Sequence, residues 1–284
     1  MALLLKGAPV AAALTENLIL RAKALKAGGI EPCLALLRVG ENPDDLLYER
    51  SAEKRCETVG IGVRSFLLPA DASQADLMAA AAAINADASV HGCLMFRPLP
   101  HALDEKAVCE ALDVRKDADG ITRGSMAKVY AGSGTGFAPC TAEACLEMLR
   151  FYRIGVSGQR VAVIGRSLVI GRPVAQLLMA ADGTVTVCHR KTRNLPAIIR
   201  EADIVIAAVG KAEVLGADCF REGQTVLDVG VNWSEEKQKP VGDVDFAQAE
   251  PLVAAISPVP GGIGAVTTAV LCRHVLEAAE QASA

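Results

Sequence analysis

This 284-residue chain has no excess of positive charge: 29 lysines and arginines stand against 33 aspartates and glutamates, a net charge of −4. Nothing in that balance draws it to nucleic acid, although a local basic pocket can still bind an anion against an acidic mean field. No uninterrupted apolar run reaches the roughly 20 residues that cross a bilayer. The opening MALLLKGAPVAAALTENL is broken by Lys6 and Glu16, so it reads poorly as a secretory signal. None of the nine cysteines forms a CxxC pair, and the closest two, Cys140 and Cys145, stand five apart. An odd number scattered among hydrophobic segments predicts small buried thiols in a reducing cytoplasm. The four histidines are dispersed, so no metal is expected.

Hydrophobic residues, by contrast, make up 51% of the chain, enough to bury a substantial core in one large or two medium domains. Val10, Leu14, Leu18, Ala22 and Leu25 recur at helical spacing and predict a helix over about 8–27, closed by Gly28 and Gly29. PCLALLRVG (32–40) reads as a buried strand, ENPDD as a turn, and LYERSAEKR (47–55) as a helix running to Gly60. VRSFLLP, SQADLMAAAAAINA, HGCLMFRPLP and LDEKAVCEAL continue the alternation of strand and helix. That order argues for a parallel α/β sheet. The glycine-rich stretch 116–140 keeps no period and predicts an irregular segment, functional or mobile. Thr141 is placed to cap a helix over TAEACLEMLRFY. From residue 160 the strands RVAVIG, TVTVCH, DIVIAAVG and TVLDVG alternate with helices, a Rossmann-like unit. The tail after Thr267, with Val270, Leu271, His274 and Val275 at helical spacing, is expected to return to the first domain.

VAVIGRSLVIGRP (161–173) is strand, glycine turn and helix start, with five residues between Gly165 and Gly171. It is not the GxGxxG fingerprint, but a tight turn at a helix N-terminus still aims backbone N–H groups at a phosphate. His189, Arg190 and Lys191 close the next strand, where a fold that reads a free ribose 2′-hydroxyl carries an acid. Together with Arg166 these cations suit a 2′-phosphate, hence NADP over NAD. As residues alone, a ligand-free glycine turn and solvated loop charges stay open as readings.

LYERSAEKR raises a question of spacing. A base working beside Tyr48 belongs at i+4 on a helix, and Ala52 holds that place. The nearest lysine, Lys54, points about 120° away. Glu49, Arg50, Glu53 and Lys54 read most simply as a solvated face.

PVPGGIGAVTTAVL (258–271), together with VGENP (39–43), RPLP (97–100), KDADG (116–120), PCTAEA (139–144), VIGRSLVIGRPVA (163–175) and VLDVGVN (226–232), resembles the methylenetetrahydrofolate dehydrogenase/cyclohydrolase family. The motifs run in family order over nearly the whole chain. The resemblance implies an α/β fold of two domains with a central cleft. Residues 1–147 plus 267–284 would bind folate, and 148–266 would be the Rossmann-like domain for NADP. It further implies a cytoplasmic enzyme, usually a homodimer, acting on a reduced folate.

Residue by residue, the resemblance makes Tyr48 and Asp119 the catalytic positions. Tyr48 would pack along the folate ring system, and the Asp119 carboxylate would hold the amino-pyrimidine edge. From the residues alone, Asp119 reads as a turn former. Phe96, Pro98, Leu99, Pro260, Gly261 and Gly262 fall on the folate side. Gly165, Arg166, Ser167, Gly171, His189, Arg190, Lys191, Val209, Gly210, Gly230 and Thr267 fall on the cofactor side.

The chain departs from the family where a lysine follows the tyrosine by four residues, since that place is Ala52. The family glutamine that acts with the lysine is Phe96 here, and Ala142 and Ala265 replace loop prolines. Hydride transfer asks for geometry and no base, whereas hydrolysis of a methenyl group asks for a positioned acid/base. The expectation is an NADP-dependent dehydrogenase with weak or absent cyclohydrolase activity. Alternatives are a fully bifunctional enzyme using another base, a non-catalytic folate- or nucleotide-binding paralogue, and a hydride-transferring enzyme on another folate-like substrate.

Overall fold

The computed structural model describes residues 1–282 and falls into two compact units. Ala13–Cys140 with Thr268–Ala284 form the N-terminal unit, and Met1–Ala12 with Thr141–Thr267 the C-terminal one. The sequence reading places 1–147 in the first domain, but the leading twelve residues group with the C-terminal unit. The reason is the backbone pairing of strand β1 (Leu3–Leu4).

Helix α1 (Gly7–Ala27) leads to β2 (Cys33–Val39), α2 (Pro43–Val59), β3 (Gly62–Leu68), α3 (Gln74–Ala86), β4 (Gly92–Met95) and α4 (Glu105–Ala111). Strand β2 is central in the parallel order β3-β2-β4, which is why its residues 34–39 are continuously buried. Local chemistry sets the helix ends. Asn42 accepts the Asp44 N–H at 3.0 Å, Pro43 opens α2, and Gly60, in the left-handed region at φ 91°, closes it. Ser73 and Asp76 form a reciprocal capping box on α3.

The stretch 116–140 is not irregular throughout. Thr122 accepts the Ser125 N–H at 3.1 Å and starts α5 (Arg123–Ala131), which Gly132 ends. Cys140, not a Thr141 cap, begins α6 (Cys140–Phe151).

The C-terminal unit runs β5 (Arg160–Ile164), α7 (Gly171–Ala180), β6 (Thr184–Cys188), α8 (Leu195–Glu201), β7 (Ile204–Ala207), β8 (Thr225–Asp228), β9 (Asn232–Ser234), β10 (Lys239–Val241), α9 (Phe246–Ala249), β11 (Ala255–Ile256) and α10 (Gly264–Ala282). Its parallel sheet has the order β1-β11-β8-β7-β5-β6. Leu3 and Leu4 pair with Ala255 and Ile256, and the Gly7 N–H donates to the Gly261 carbonyl at 2.8 Å. Those contacts hold residues 1–12 in this unit. From Thr268 onward α10 belongs to the N-terminal unit, as its apolar spacing foretells: Val270, Leu271, His274 and Val275 are all buried. It lies so close to β4 that a Cβ on Gly92 would stand 2.8 Å from a Val275 methyl.

All nine cysteines are free thiols, eight buried and Cys33 half-buried. Among the described residues no helix is long and apolar enough to cross a membrane.

Candidate functional site

In the N-terminal unit, the candidate residues gather where the parallel strands end. Leu37 pairs with Met95, and the N–H of Phe96, the next residue, donates to the Leu37 carbonyl at 3.0 Å. The Phe96 ring, 4% exposed, meets Tyr48 edge to face with centroids 6.2 Å apart. Ala52, one helical turn beyond Tyr48, is wholly buried. Lys54 and Ser51 are exposed. Arg55 is committed to the hydroxyls of Thr15 (2.9 Å) and Thr268 (3.4 Å).

Glu49 corrects the solvated-face reading. It is 7% exposed and accepts from Arg38 Nε at 2.6 Å, while the same guanidinium donates to the Gly40 carbonyl. This buried pair ties the α2 turn that carries Tyr48 to the end of β2.

The two acids of KDADG divide their work. Asp117, fully buried, accepts the N–H groups of Ile121 (2.9 Å) and Thr122 (2.8 Å) and so builds the turn. Asp119 is thereby relieved of the turn role that the residues alone suggest for it. Burial pushes the Asp119 carboxyl up from its ordinary value, against the Arg97 guanidinium and the thiol and N–H of Cys140, which lower it. Below it, His274 stacks on Phe137 and bonds the Ala118 carbonyl at 2.8 Å through Nδ1. Gly120 is obligatory beside Asp119, because at φ 67° a Cβ would lie 2.5 Å from the Pro139 nitrogen. Pro98 follows a cis peptide and is exposed. Leu99, in contrast, puts its side chain in the hydrophobic core.

In the C-terminal unit, register lines up the second set. Ile164 of β5 pairs with Cys188 of β6 and Ala207 of β7, and Ala207 pairs with Asp228 of β8. Gly165, His189 and the 208–210 loop therefore leave one carboxyl edge, at the point where strand order reverses about β5, the place such sheets bind ligands. The turn is a backbone cradle. A Cβ on Gly165 would come within 2.1 Å of the Ala208 carbonyl oxygen, and one on Gly171 within 2.2 Å of the Gly165 oxygen. Ser167 Oγ accepts the Ile170 N–H at 3.1 Å. Arg166, Arg190 and Lys191 are exposed, and His189 Nδ1 accepts the Lys191 N–H at 3.2 Å. Glycine backbone plus unburied cations fit a phosphate-bearing dinucleotide.

Pro260 and Gly261 are exposed on the loop after β11, with Gly261 at φ 102°. Gly262 is buried, where a Cβ would meet the Pro258 carbonyl at 2.6 Å. Three cofactor-side residues do not reach the surface: Gly171, packed on Gly165, and two more. Gly230 is buried against Asp243, and Thr267 gives its hydroxyl to the Gly264 carbonyl at 3.0 Å. Sequence reasoning misses Asp243 and Asp228, buried acids that bond the loops of this edge. Their only signal is an aspartate within two residues of a glycine in VLDVG and VGDVD.

The catalytic-domain profile of the tetrahydrofolate dehydrogenase/cyclohydrolase family matches residues 5–119, and its NAD(P)-binding-domain profile matches residues 139–283. The bifunctional protein FolD of Carboxydothermus hydrogenoformans is 48% identical over 281 residues, 99% of this chain and 98% of that protein. The bifunctional FolD methylenetetrahydrofolate dehydrogenase/cyclohydrolase of Campylobacter jejuni superposes with a TM-score of 0.96 at 37% identity, over 99% of each chain. The methylenetetrahydrofolate dehydrogenase-cyclohydrolase of Trypanosoma brucei, solved with NADP cofactor and inhibitor, gives 0.93 at 31% identity over 99% of this chain and 98% of that one. With residues 5–119 and 139–283 both matched, the chain belongs to the tetrahydrofolate dehydrogenase/cyclohydrolase family.

Proposed function

We propose that this chain oxidises 5,10-methylenetetrahydrofolate to 5,10-methenyltetrahydrofolate with NADP⁺, and that it hydrolyses the methenyl product weakly or not at all. The observation that carries the second half is the wholly buried Ala52 one helical turn from Tyr48, whose half-buried ring meets the buried Phe96 edge to face, where the family motif has a lysine and a glutamine. Relatives that bear the name bifunctional support the dehydrogenase half. The NADP bound to the Trypanosoma brucei relative supports the cofactor.

Bound NADP⁺ supplies the hydride acceptor, and the task left to this chain is placement. The carboxylate of Asp119 accepts paired N–H donors from the amino-pyrimidine edge of the folate. Tyr48 lays an aromatic face along the ring system. As hydride leaves the bridging methylene carbon, the positive charge spreads onto the two flanking substrate nitrogens, so no side chain need remove a proton. The turn from Gly165 to Gly171 would present N–H groups to the cofactor's phosphates, and Arg166, Arg190 and Lys191 would hold its 2′-phosphate. Hydrolysis is a different demand. Water must be deprotonated as it attacks the methenyl carbon, and Ala52 and Phe96 have no atom able to take that proton. Arg55, bonded to two threonines, stays protonated and makes a poor base.

The test is one assay of purified protein with methylenetetrahydrofolate and NADP⁺, following NADPH and methenyl product separately. Equal yields, with methenyl decay at its spontaneous rate, are expected. Methenyl clearance at enzymatic rates would restore the bifunctional reading. No reduction of either NADP⁺ or NAD⁺ would leave a binding paralogue.

A further inference from the structure

Asp243, in the turn between β10 and α9, is fully buried, and its carboxylate collects four N–H donors, three from the loop after β7 and one from the first residue of β9. Oδ2 accepts the backbone N–H groups of Val209 and Gly210, the latter at 3.1 Å. Oδ1 accepts the Lys211 N–H at 2.9 Å and the Asn232 side-chain amide at 3.0 Å. Consecutive amides converging on one point form an anion-binding nest, and here the anion is a side chain of the protein itself.

Asp243 is held in turn. Its own N–H donates to Asp228 Oδ1 at 3.0 Å, and that of Val244 to Asp228 Oδ2 at 2.9 Å. Gly230 leaves the space Asp243 occupies, since a Cβ there would stand 2.2 Å from Asp243 Cγ. The loop that Asp243 anchors starts at Ala208, whose carbonyl is the surface on which Gly165 packs. One carboxylate thus fixes the exits of β7 and β8, and through Ala208 it bears on the glycine turn after β5.

We propose that Asp243 is a positioning residue for cofactor binding, holding the 209–211 loop in the shape the dinucleotide meets; this rests on the reading of the chain as NADP-dependent. No contact between Asp243 and the cofactor is required. The carboxylate removes the entropy the loop would otherwise lose when ligand binds.

Asp243→Asn keeps the shape of the side chain but turns an NH₂ group towards two of the four donors. The NADP⁺ dissociation constant, read by titration calorimetry, should rise about 10- to 100-fold, the scale of one or two charge-assisted hydrogen bonds lost. The KM for methylenetetrahydrofolate should stay within about threefold, a split that a general loss of structure does not give. Amide exchange at 209–211 should speed up while the rest of the sheet keeps its rates. Asn232→Ala, which removes one donor and leaves the carboxylate, should raise the same constant about 3- to 10-fold. Wild-type NADP⁺ affinity in a folded Asp243→Asn variant overturns the proposal. If that variant does not fold, wild-type affinity in Asn232→Ala overturns it. Equal losses for folate and cofactor with exchange raised throughout also overturn it, leaving a merely structural acid. A wild-type protein that takes up no NADP⁺ removes the cofactor reading and this inference with it.

Discussion

Phe96 stands edge-on to Tyr48, ring planes at 80° and centroids 6.2 Å apart, and the next turn of the Tyr48 helix presents only the buried methyl of Ala52. Aromatic edge-to-face contacts of this kind are worth about 0.5–1.5 kcal/mol beyond their burial. Under the proposed function, the two departures from the family motif are expected to act together.

Restoring one member alone should do little. A lysine at position 52 beside Phe96 is an unpaired cation in an apolar surround and loses its proton or its place. A glutamine at 96 beside Ala52 has no partner. The double variant Ala52→Lys/Phe96→Gln should raise methenyl hydrolysis about 100-fold or more over the parent, with each single change under about 10-fold. Decay of methenyl absorbance, corrected for the spontaneous rate, measures it. A double variant still at background places the lost chemistry elsewhere.

Asp119 should set the acid limit of the dehydrogenase. Its carboxyl is raised by burial, so on acidification it takes up a proton earlier than an ordinary aspartate. The protonated form loses one acceptor for the amino-pyrimidine edge. The kcat/KM for the folate should therefore fall on the acid side at a pH above the usual carboxylate range. In Asp119→Asn that acid limb should vanish and the folate KM rise at least about 10-fold, with NADP⁺ affinity within about twofold. An unchanged acid limb in the variant would assign it to another group.

The Arg38–Glu49 pair predicts a stability loss. Both side chains are under a tenth exposed, and removing one leaves the other as an unpaired buried charge. Glu49→Ala should cost about 3–5 kcal/mol in urea unfolding, whereas replacing both by apolar residues of similar size should recover most of it. Because Glu49 is the chain neighbour of Tyr48, the single variant should also raise the folate KM. A loss below about 1 kcal/mol would mark the pair as solvent-screened.

The strand–helix alternation of the C-terminal unit and its glycine turn were legible because strand period, glycine spacing and helix starts are local signals, whereas the short strands β1 and β11 that extend its sheet carry no such period. Glu49 was misread for the converse reason. Its partner Arg38 sits eleven residues back on a strand, and no helical spacing reveals a charge paired across elements. Asp117 and Asp119 are chemically alike in KDADG, and only the hydrogen bonds of Ile121 and Thr122 tell turn former from presented acid. Helix α5 was hidden by the glycines around it: Gly132 is its cap, and Gly134 and Gly136 take positive φ in the segment leading to α6. Asp243 had no signal beyond the glycine before it in VGDVD, since its four donors lie 11 to 34 residues away.

Asp228 gives the sharpest pH dependence of stability. Burial pushes its carboxyl up to about 7 from 3.8, and the nearby Asp243 carboxylate adds to this, against N–H bonds from Val244, Asp243 and Gly230. Glu213, Lys237 and Lys239 line the cavity on which it borders. The folded state thus holds this proton more tightly than the unfolded chain. Its contribution to stability is complete below the unfolded value and is lost as pH rises through about 7. Between pH 5 and pH 9 the loss from this group should be about 2–3 kcal/mol, two pH units at about 1.4 kcal/mol each. Asp228→Asn cannot ionise and should be flat with respect to this group across the window. It should be somewhat less stable than the parent at pH 5, having exchanged one acceptor for a donor, and equal or better at pH 9. Urea titrations of both proteins at pH 5, 7 and 9 decide it. If the two stability curves run parallel, Asp228 is ionised in the folded protein throughout, and its three N–H bonds outweigh its burial.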